Sequence, residues 1–242
     1  MSPNKKEIAF LFGSGISIPA CMPSTSDITK TLLSGNNIYR GTADNYSFGE
    51  ESSYFPNTPE FISRLTRLLS IIKDEYRSQL KPEYRDLINY EDIYYVVNQI
   101  YDDIVGNGYN PLVSPFVNAI SSKINPLLGY SESGRQWDLY FLFREANLYF
   151  RHIVWKSLTK KPLKHDHLQF IQQVLDDEQL SKIDIFTLNH DTLLETFLSY
   201  NKIDFADGFD DPENGVRYWR PDMYLTSSTK LRLFKLHGSV NW

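Results

Sequence analysis

Apolar residues follow two different periods along this chain. Ile8-Ala9-Phe10-Leu11-Phe12 is an unbroken apolar run stopped by Gly13-Ser14-Gly15, which predicts a buried, central parallel strand entering a glycine turn. Pro19 and Pro23 defer any helix to the cap-forming cluster Ser24-Thr25-Ser26-Asp27, ahead of Ile28, Leu32 and Leu33. Residues 34 to 58, rich in Asn, Gly, Ser and Tyr, read as a long irregular loop of the kind that often covers a site. From Pro59 to about Gly106 the spacing turns helical, with Phe61, Ile62, Leu65, Leu68, Leu69 and Ile72, then Ile93, Val96, Val97, Ile100 and Ile104. Further helical patterns cover 111–128, 136–158 and 166–179. Two more strands follow. Lys182 to Leu188 closes on Asn189-His190-Asp191 before a helix-like run from Thr192 to Leu198, and Leu231 to Leu236 closes on His237-Gly238-Ser239.

Three segments therefore share one pattern, an apolar strand with a small or polar cluster at its carboxyl end. Open parallel α/β sheets bind ligands just beyond those ends, so the three clusters are expected to converge on one crevice. The prediction is an α/β fold, a Rossmann-like parallel sheet interrupted by a mostly α-helical block. At 242 residues and 41% hydrophobic, the chain is long enough to bury a core as one domain, or as one domain with a large insertion.

Charge and cysteine usage narrow the classes. The 25 basic against 30 acidic residues, a net charge of −5, argue against direct nucleic-acid binding. The single cysteine, Cys21, permits no intrachain disulfide and no multi-thiolate zinc site, and fits a reducing, cytoplasmic setting. The most apolar stretch, Trp137 to Leu158, is broken by Asp138, Arg144, Glu145, Arg151 and Lys156, so no membrane span is expected. The five apolar residues Ile8 to Phe12 are too short for a signal peptide.

The glycine cluster offers backbone amides that can approach a phosphate closely. It departs from Gly-x-Gly-x-x-Gly, because Ile18 stands at the third glycine and no acidic residue follows about 20 positions on, which disfavours an ordinary nicotinamide dehydrogenase. The other two clusters supply an amide (Asn189), a carboxylate (Asp191) and an imidazole (His237), a set suited to chemistry on a sugar hydroxyl or a water. Spacing alone leaves open that Asn189 and Asp191 simply cap the helix near Thr192 while His237 turns a loop. His165-Asp166-His167 reads as a helix start rather than a metal site, and no metal is expected. The stripe Trp137, Tyr140, Phe141, Phe143, Tyr149, Phe150 and Trp155 reads as core, Cys21 as a small packed residue, and Tyr90-Glu91-Asp92 as a solvated helix start.

Taken together, the motifs resemble the sirtuin (silent information regulator) family. Gly13-Ser14-Gly15-Ile16-Ser17 and Ile18-Pro19 through Met22-Pro23 are similar to its Gly-Ala-Gly-Ile-Ser and following Gly-Ile-Pro; Thr187-Leu188-Asn189-His190-Asp191 resembles its Thr-Gln-Asn-Ile-Asp; Leu236-His237-Gly238-Ser239 resembles its Leu-His-Gly-Ser. His167-Leu168, about 20 residues before Asn189, resembles a further landmark. The motifs stand in family order over 8–33 and 165–242, and the middle matches nothing in the family. The resemblance implies an NAD-binding α/β core of residues 1–33 and 165–242 with a helical insertion over 34–164.

It implies further that Gly13, Ser14, Gly15 and Ser17 line the NAD phosphates and adjoining ribose, with Pro23, Thr187, Gly238 and Ser239 in the same binding set. Asn189 would hold the nicotinamide ribose or the attacking water, Asp191 the carboxamide, and His237 would be the base. Deacylating members continue Gly-Ile-Pro with Asp-Phe-Arg, where this chain has Ser24-Thr25-Ser26. Loss of that aromatic cover, together with His190 and the final Asn241-Trp242, points to hydrolysis of NAD rather than acyl transfer. The chain is thus most similar to the NADases of bacterial antiphage defence, which implies an NAD-depleting effector restrained by homo-oligomerisation or a protein partner. A deacylase or ADP-ribosyltransferase, and a non-catalytic NAD- or ADP-ribose-binding module, are the alternatives. The family's zinc cysteines follow the His-Gly motif, and no metal is expected within these residues; a strand ending at Leu236 with almost nothing after it leaves a doubly wound sheet short, so a C-terminal truncation is expected.

Overall fold

The structure, a computed structural model, describes residues 5–49, 58–108, 110–131, 134–210 and 212–241. Met1 to Asn4, residues 50–57 of the expected loop, and Trp242 lie outside the described residues. In chain order the elements are β1 (Lys6–Phe12), α1 (Thr25–Ser34), β2 (Ile38–Arg40), β3 (Tyr46–Phe48), α2 (Thr58–Gln79), α3 (Tyr90–Val105), α4 (Ser114–Ile124), β4 (Gly129–Tyr130), β5 (Gln136–Trp137), α5 (Leu139–Leu158), α6 (Phe170–Leu175), β6 (Leu180–Thr187), α7 (Leu193–Tyr200), β7 (Phe205–Ala206), α8 (Met223–Thr226) and β8 (Leu231–Lys235). The fold is α/β, and the chain forms two compact units, one of residues 1–24 with 158–242 and one of residues 25–157.

The first unit is built on a four-stranded, all-parallel sheet in the order β1-β6-β8-β7. Strand residues alternate between two faces. Ile183, Ile185, Leu231 and Leu233 point into a buried core shared with Leu168, Ile171 and the α7 residues Leu193, Leu194, Phe197 and Leu198. Ile8, Phe10 and Phe12 pack against that core, with Phe10 and Phe12 meeting the edge of Phe170 at 5.9 and 6.1 Å. The other face carries Asp184 and Arg232, neighbours in register, joined by a two-point ion pair with both contacts at 2.6 Å. Next to it Phe186 stacks on Phe234, which Tyr224 stacks on in turn.

The expectation of a central first strand is corrected here. Among the described residues β1 pairs with β6 alone and forms the edge of the sheet, leaving Leu11 on the second face 69% exposed. A continuous apolar run does not reveal whether a strand has one neighbour or two. The two-residue β7 was not legible in the sequence, being too short to show a period. What matters for function is the register: Phe12 pairs with Thr187 and Thr187 with Lys235, so three parallel strands finish level.

The second unit is helical. Phe61, Leu65, Leu68, Leu69 and Ile72 of α2, Ile93, Val97 and Ile100 of α3, Ile120 and Ile124 of α4, and Leu142, Phe143, Ala146, Tyr149, Phe150 and Ile153 of α5 are buried in it. Trp137 joins them, whereas Tyr140 and Trp155 of the aromatic stripe are exposed. The start of α3 carries a reciprocal cap, in which Asn89 Oδ1 accepts from the Glu91 amide and Asp92 Oδ2 from the Asn89 amide. Within the stretch expected to be irregular, β2 and β3 form an antiparallel hairpin, a correction whose cause is a buried polar network. Arg40 binds Glu145 through Nε at 2.9 Å and Nη2 at 3.1 Å, and Tyr46 donates to the same carboxylate at 2.6 Å. Among the described residues no helix is long and apolar enough to cross a membrane.

Candidate functional site

All the candidate residues belong to the first unit and gather at the level carboxyl ends of β1, β6 and β8. The chain leaves β1 at Gly13 and makes a 3-10 turn over Ser14–Ser17, with the Ile16 amide donating to Gly13 O at 3.2 Å. The amides of Ser14 and Gly15 precede the first bond of that turn and have no partner within it. A Cβ built on Gly13 or Gly15 would meet nothing within 4 Å, so neither glycine is demanded by packing of the chain itself. This leaves the loop backbone open to a group from outside.

Two bonds hold the loop from behind. His167 Nε2 lies 2.8 Å from the Ile16 carbonyl, and Ser17 donates its hydroxyl to Asp191 Oδ2 at 2.7 Å in a buried contact. Ser17 also accepts from Asn189 Nδ2 at 2.9 Å. One hydroxyl thereby joins the glycine loop to both polar residues after β6. With its nitrogen turned to Ser17, Asn189 is left with its carbonyl oxygen as an acceptor, the complement of a ribose hydroxyl or a water.

Asp191 is buried and serves two structural ends at once, because its second oxygen accepts the Leu193 amide at 3.0 Å at the start of α7. Capping and site-building, alternatives on spacing, coexist in this residue. Thr187 is also buried, and its hydroxyl accepts the Asn189 amide at 3.1 Å, so it shapes the turn rather than facing outward. His237 is exposed at the end of β8, its ring 6.2 Å from that of His190. The segment carrying it is tied to the neighbouring turn by Val240 N–H and Ser239 Oγ, which both donate to the His190 carbonyl at 3.0 and 3.3 Å. Gly238 takes φ +87°, a left-handed conformation that favours glycine. Ser14 is exposed and Pro23 half-buried.

Sequence reasoning missed three residues of this scaffold. His167, whose sequence context points to a helix start and a family landmark, anchors the loop. Lys235 is buried and donates to the Asp191 carbonyl and to Glu195 Oε1, the latter at 2.9 Å. Burial pushes the Glu195 carboxyl up, against the pull of Lys235. The available signal was period: Leu231, Leu233 and Lys235 alternate onto one face, and a lysine on an inward position needs a buried partner.

Cys21 is corrected as well. It is exposed rather than packed, and it sits in a left-handed conformation at φ +62° in the tight turn between Ile18 and Met22. His165 packs on the rings of Phe197 and Tyr200. Among the described residues no three His, Cys, Asp or Glu side chains gather as metal ligands would. Comparison with protein-family models and with curated proteins finds no match to this chain.

Proposed function

We propose that the first unit is a sirtuin-like domain that hydrolyses NAD to nicotinamide and ADP-ribose. The observation that carries this reading is the buried hydroxyl of Ser17, hydrogen-bonded to both Asn189 and Asp191 beside an open glycine turn, with His237 exposed at the next strand end. Glycines beside amides that start a turn suit a diphosphate. The Asn189 carbonyl suits a ribose hydroxyl or water, and an exposed imidazole can accept a proton from either.

In the proposed reaction the bond from ribose C1′ to the nicotinamide nitrogen breaks, and its electron pair stays with nicotinamide, which leaves neutral from a cationic ring. No acid is needed at the leaving group. The charge left on the ribose resembles that of glycoside hydrolysis. A water held by Asn189 bonds to C1′, and its proton passes to the His237 imidazole and on to solvent. The same resemblance motivates the further proposal of a role in antiphage defence, as an NAD-depleting effector held in check by self-assembly or a partner.

The test is nicotinamide release from NAD by the wild-type protein, by Asn189→Ala and by His237→Ala. Loss of a positioned general base typically costs 10²- to 10⁴-fold, so release should fall by about that factor for His237→Ala. Asn189→Ala should fall comparably, with free ADP-ribose as the wild-type product. Turnover that required an acylated peptide, or that survived both substitutions, would overturn hydrolysis at this site.

A further inference from the structure

We infer that Lys235 is a positioning residue of this site, acting through the main-chain carbonyl of Asp191; the inference rests on the proposed NAD cleavage. The Lys235 side chain is 4% exposed, and its ammonium lies between the Asp191 carbonyl and Glu195 Oε1. It leaves β8 directly opposite Thr187, the residue from which the Asn189–Asp191 turn departs.

Asp191 is therefore held at three points. Lys235 fixes its carbonyl, the Leu193 amide fixes Oδ1, and Ser17 binds Oδ2. Ser17 in turn receives Asn189 Nδ2. A hydrogen-bonded chain thus runs from the ammonium to the one amide expected to touch ribose or water. A buried ion pair alone is weak evidence for stability, since apolar residues of similar size often serve as well. The bond that an apolar residue cannot replace is the one to Asp191. Without it the peptide after Asp191 can rotate, taking Ser17 and Asn189 with it, and a displacement of about 1 Å at a reacting geometry costs on the order of 10²-fold.

Two experiments decide this. In Lys235→Met/Glu195→Gln both charges are removed together, so no uncompensated buried charge remains. The expected result is a kcat for nicotinamide release lowered by about 10- to 100-fold with KM changed less than about threefold. An unchanged kcat in the folded double variant overturns the positioning role. The second experiment uses the wild-type protein, following the Asn189 side-chain amide and the Lys235 ammonium by nuclear magnetic resonance as ADP-ribose is added. Shifts at both groups are expected. A shift at Asn189 with none at Lys235 overturns the positioning role alone, and no shift at Asn189 overturns the NAD reading on which it rests.

Discussion

Gly15 and Gly208 both follow strands of the same sheet, and they are glycine for opposite reasons. Gly208 has φ +81°, and a Cβ there would meet Trp219 ring carbons at 2.4 and 2.7 Å and Tyr224 at 2.7 Å. Both the backbone and the aromatic wall exclude a side chain. Gly208→Ala should destabilise the protein by about 1–3 kcal/mol, read as a lowered denaturant midpoint at constant slope. Gly15 has neither constraint, so Gly15→Ala should change stability by no more than about 0.5 kcal/mol, with the midpoint nearly unmoved. The open side of its turn is where a diphosphate would lie, and calorimetric titration with ADP-ribose should show affinity weakened at least about tenfold. Equal affinity in the two proteins would remove the glycine turn from the binding site. At this scale much was legible: Gly13, Gly15, Asn189, Asp191 and His237 stand out by type and spacing. The direction each side chain takes did not follow, as Cys21, exposed at φ +62°, and the inward Thr187 show.

Among the elements, the β2–β3 hairpin shows what hydrophobic pattern could not announce. Each strand has three residues, and the connection is polar. Its anchor is Glu145, 0% exposed on α5, which receives Arg40, Arg144 and Tyr46, while Arg40 also lies over the Phe61 ring at 4.4 Å. Glu145→Ala leaves the Arg40 guanidinium buried without its main partner and should cost about 3–5 kcal/mol, visible as a fall in Tm. The same network sets an acid dependence. The hydrogen bond from Arg144, reinforced by Arg40, holds the Asp44 carboxyl below its ordinary 3.8 against the upward push of burial. A depressed folded value means the stabilisation is fully present above the ordinary carboxylate range and is lost as pH falls through the folded value. Unfolding midpoints of Asp44→Asn and wild type should therefore converge as the solution is acidified below pH 3.8. A constant difference down to the most acid pH would show that Asp44 contributes no titrating interaction. The helices themselves were legible over long apolar periods, since α2 and α5 each repeat one pattern for five turns or more.

For the molecule as a whole, the chain order imposes a folding problem. β1 pairs with β6 while all of residues 25–157, a unit with its own core, lies between them in the chain. Closing that loop costs entropy that local helix contacts do not. In refolding followed by pulsed hydrogen exchange, amides of α2 and α5 should gain protection before those of Ile8 to Phe12. Simultaneous protection would mean that the sheet does not wait for the helical unit. The strands β1, β6 and β8, the glycine turn and the helical middle follow from apolar period and turn chemistry, because these act among residues close in the chain. Pairing order and register act between residues far apart, and no local pattern encodes them. That β1 is an edge strand, that Phe12, Thr187 and Lys235 end level, that Ser17 reaches Asp191 across 174 positions, and that a lysine lies buried beneath the site were therefore decided only by the tertiary structure.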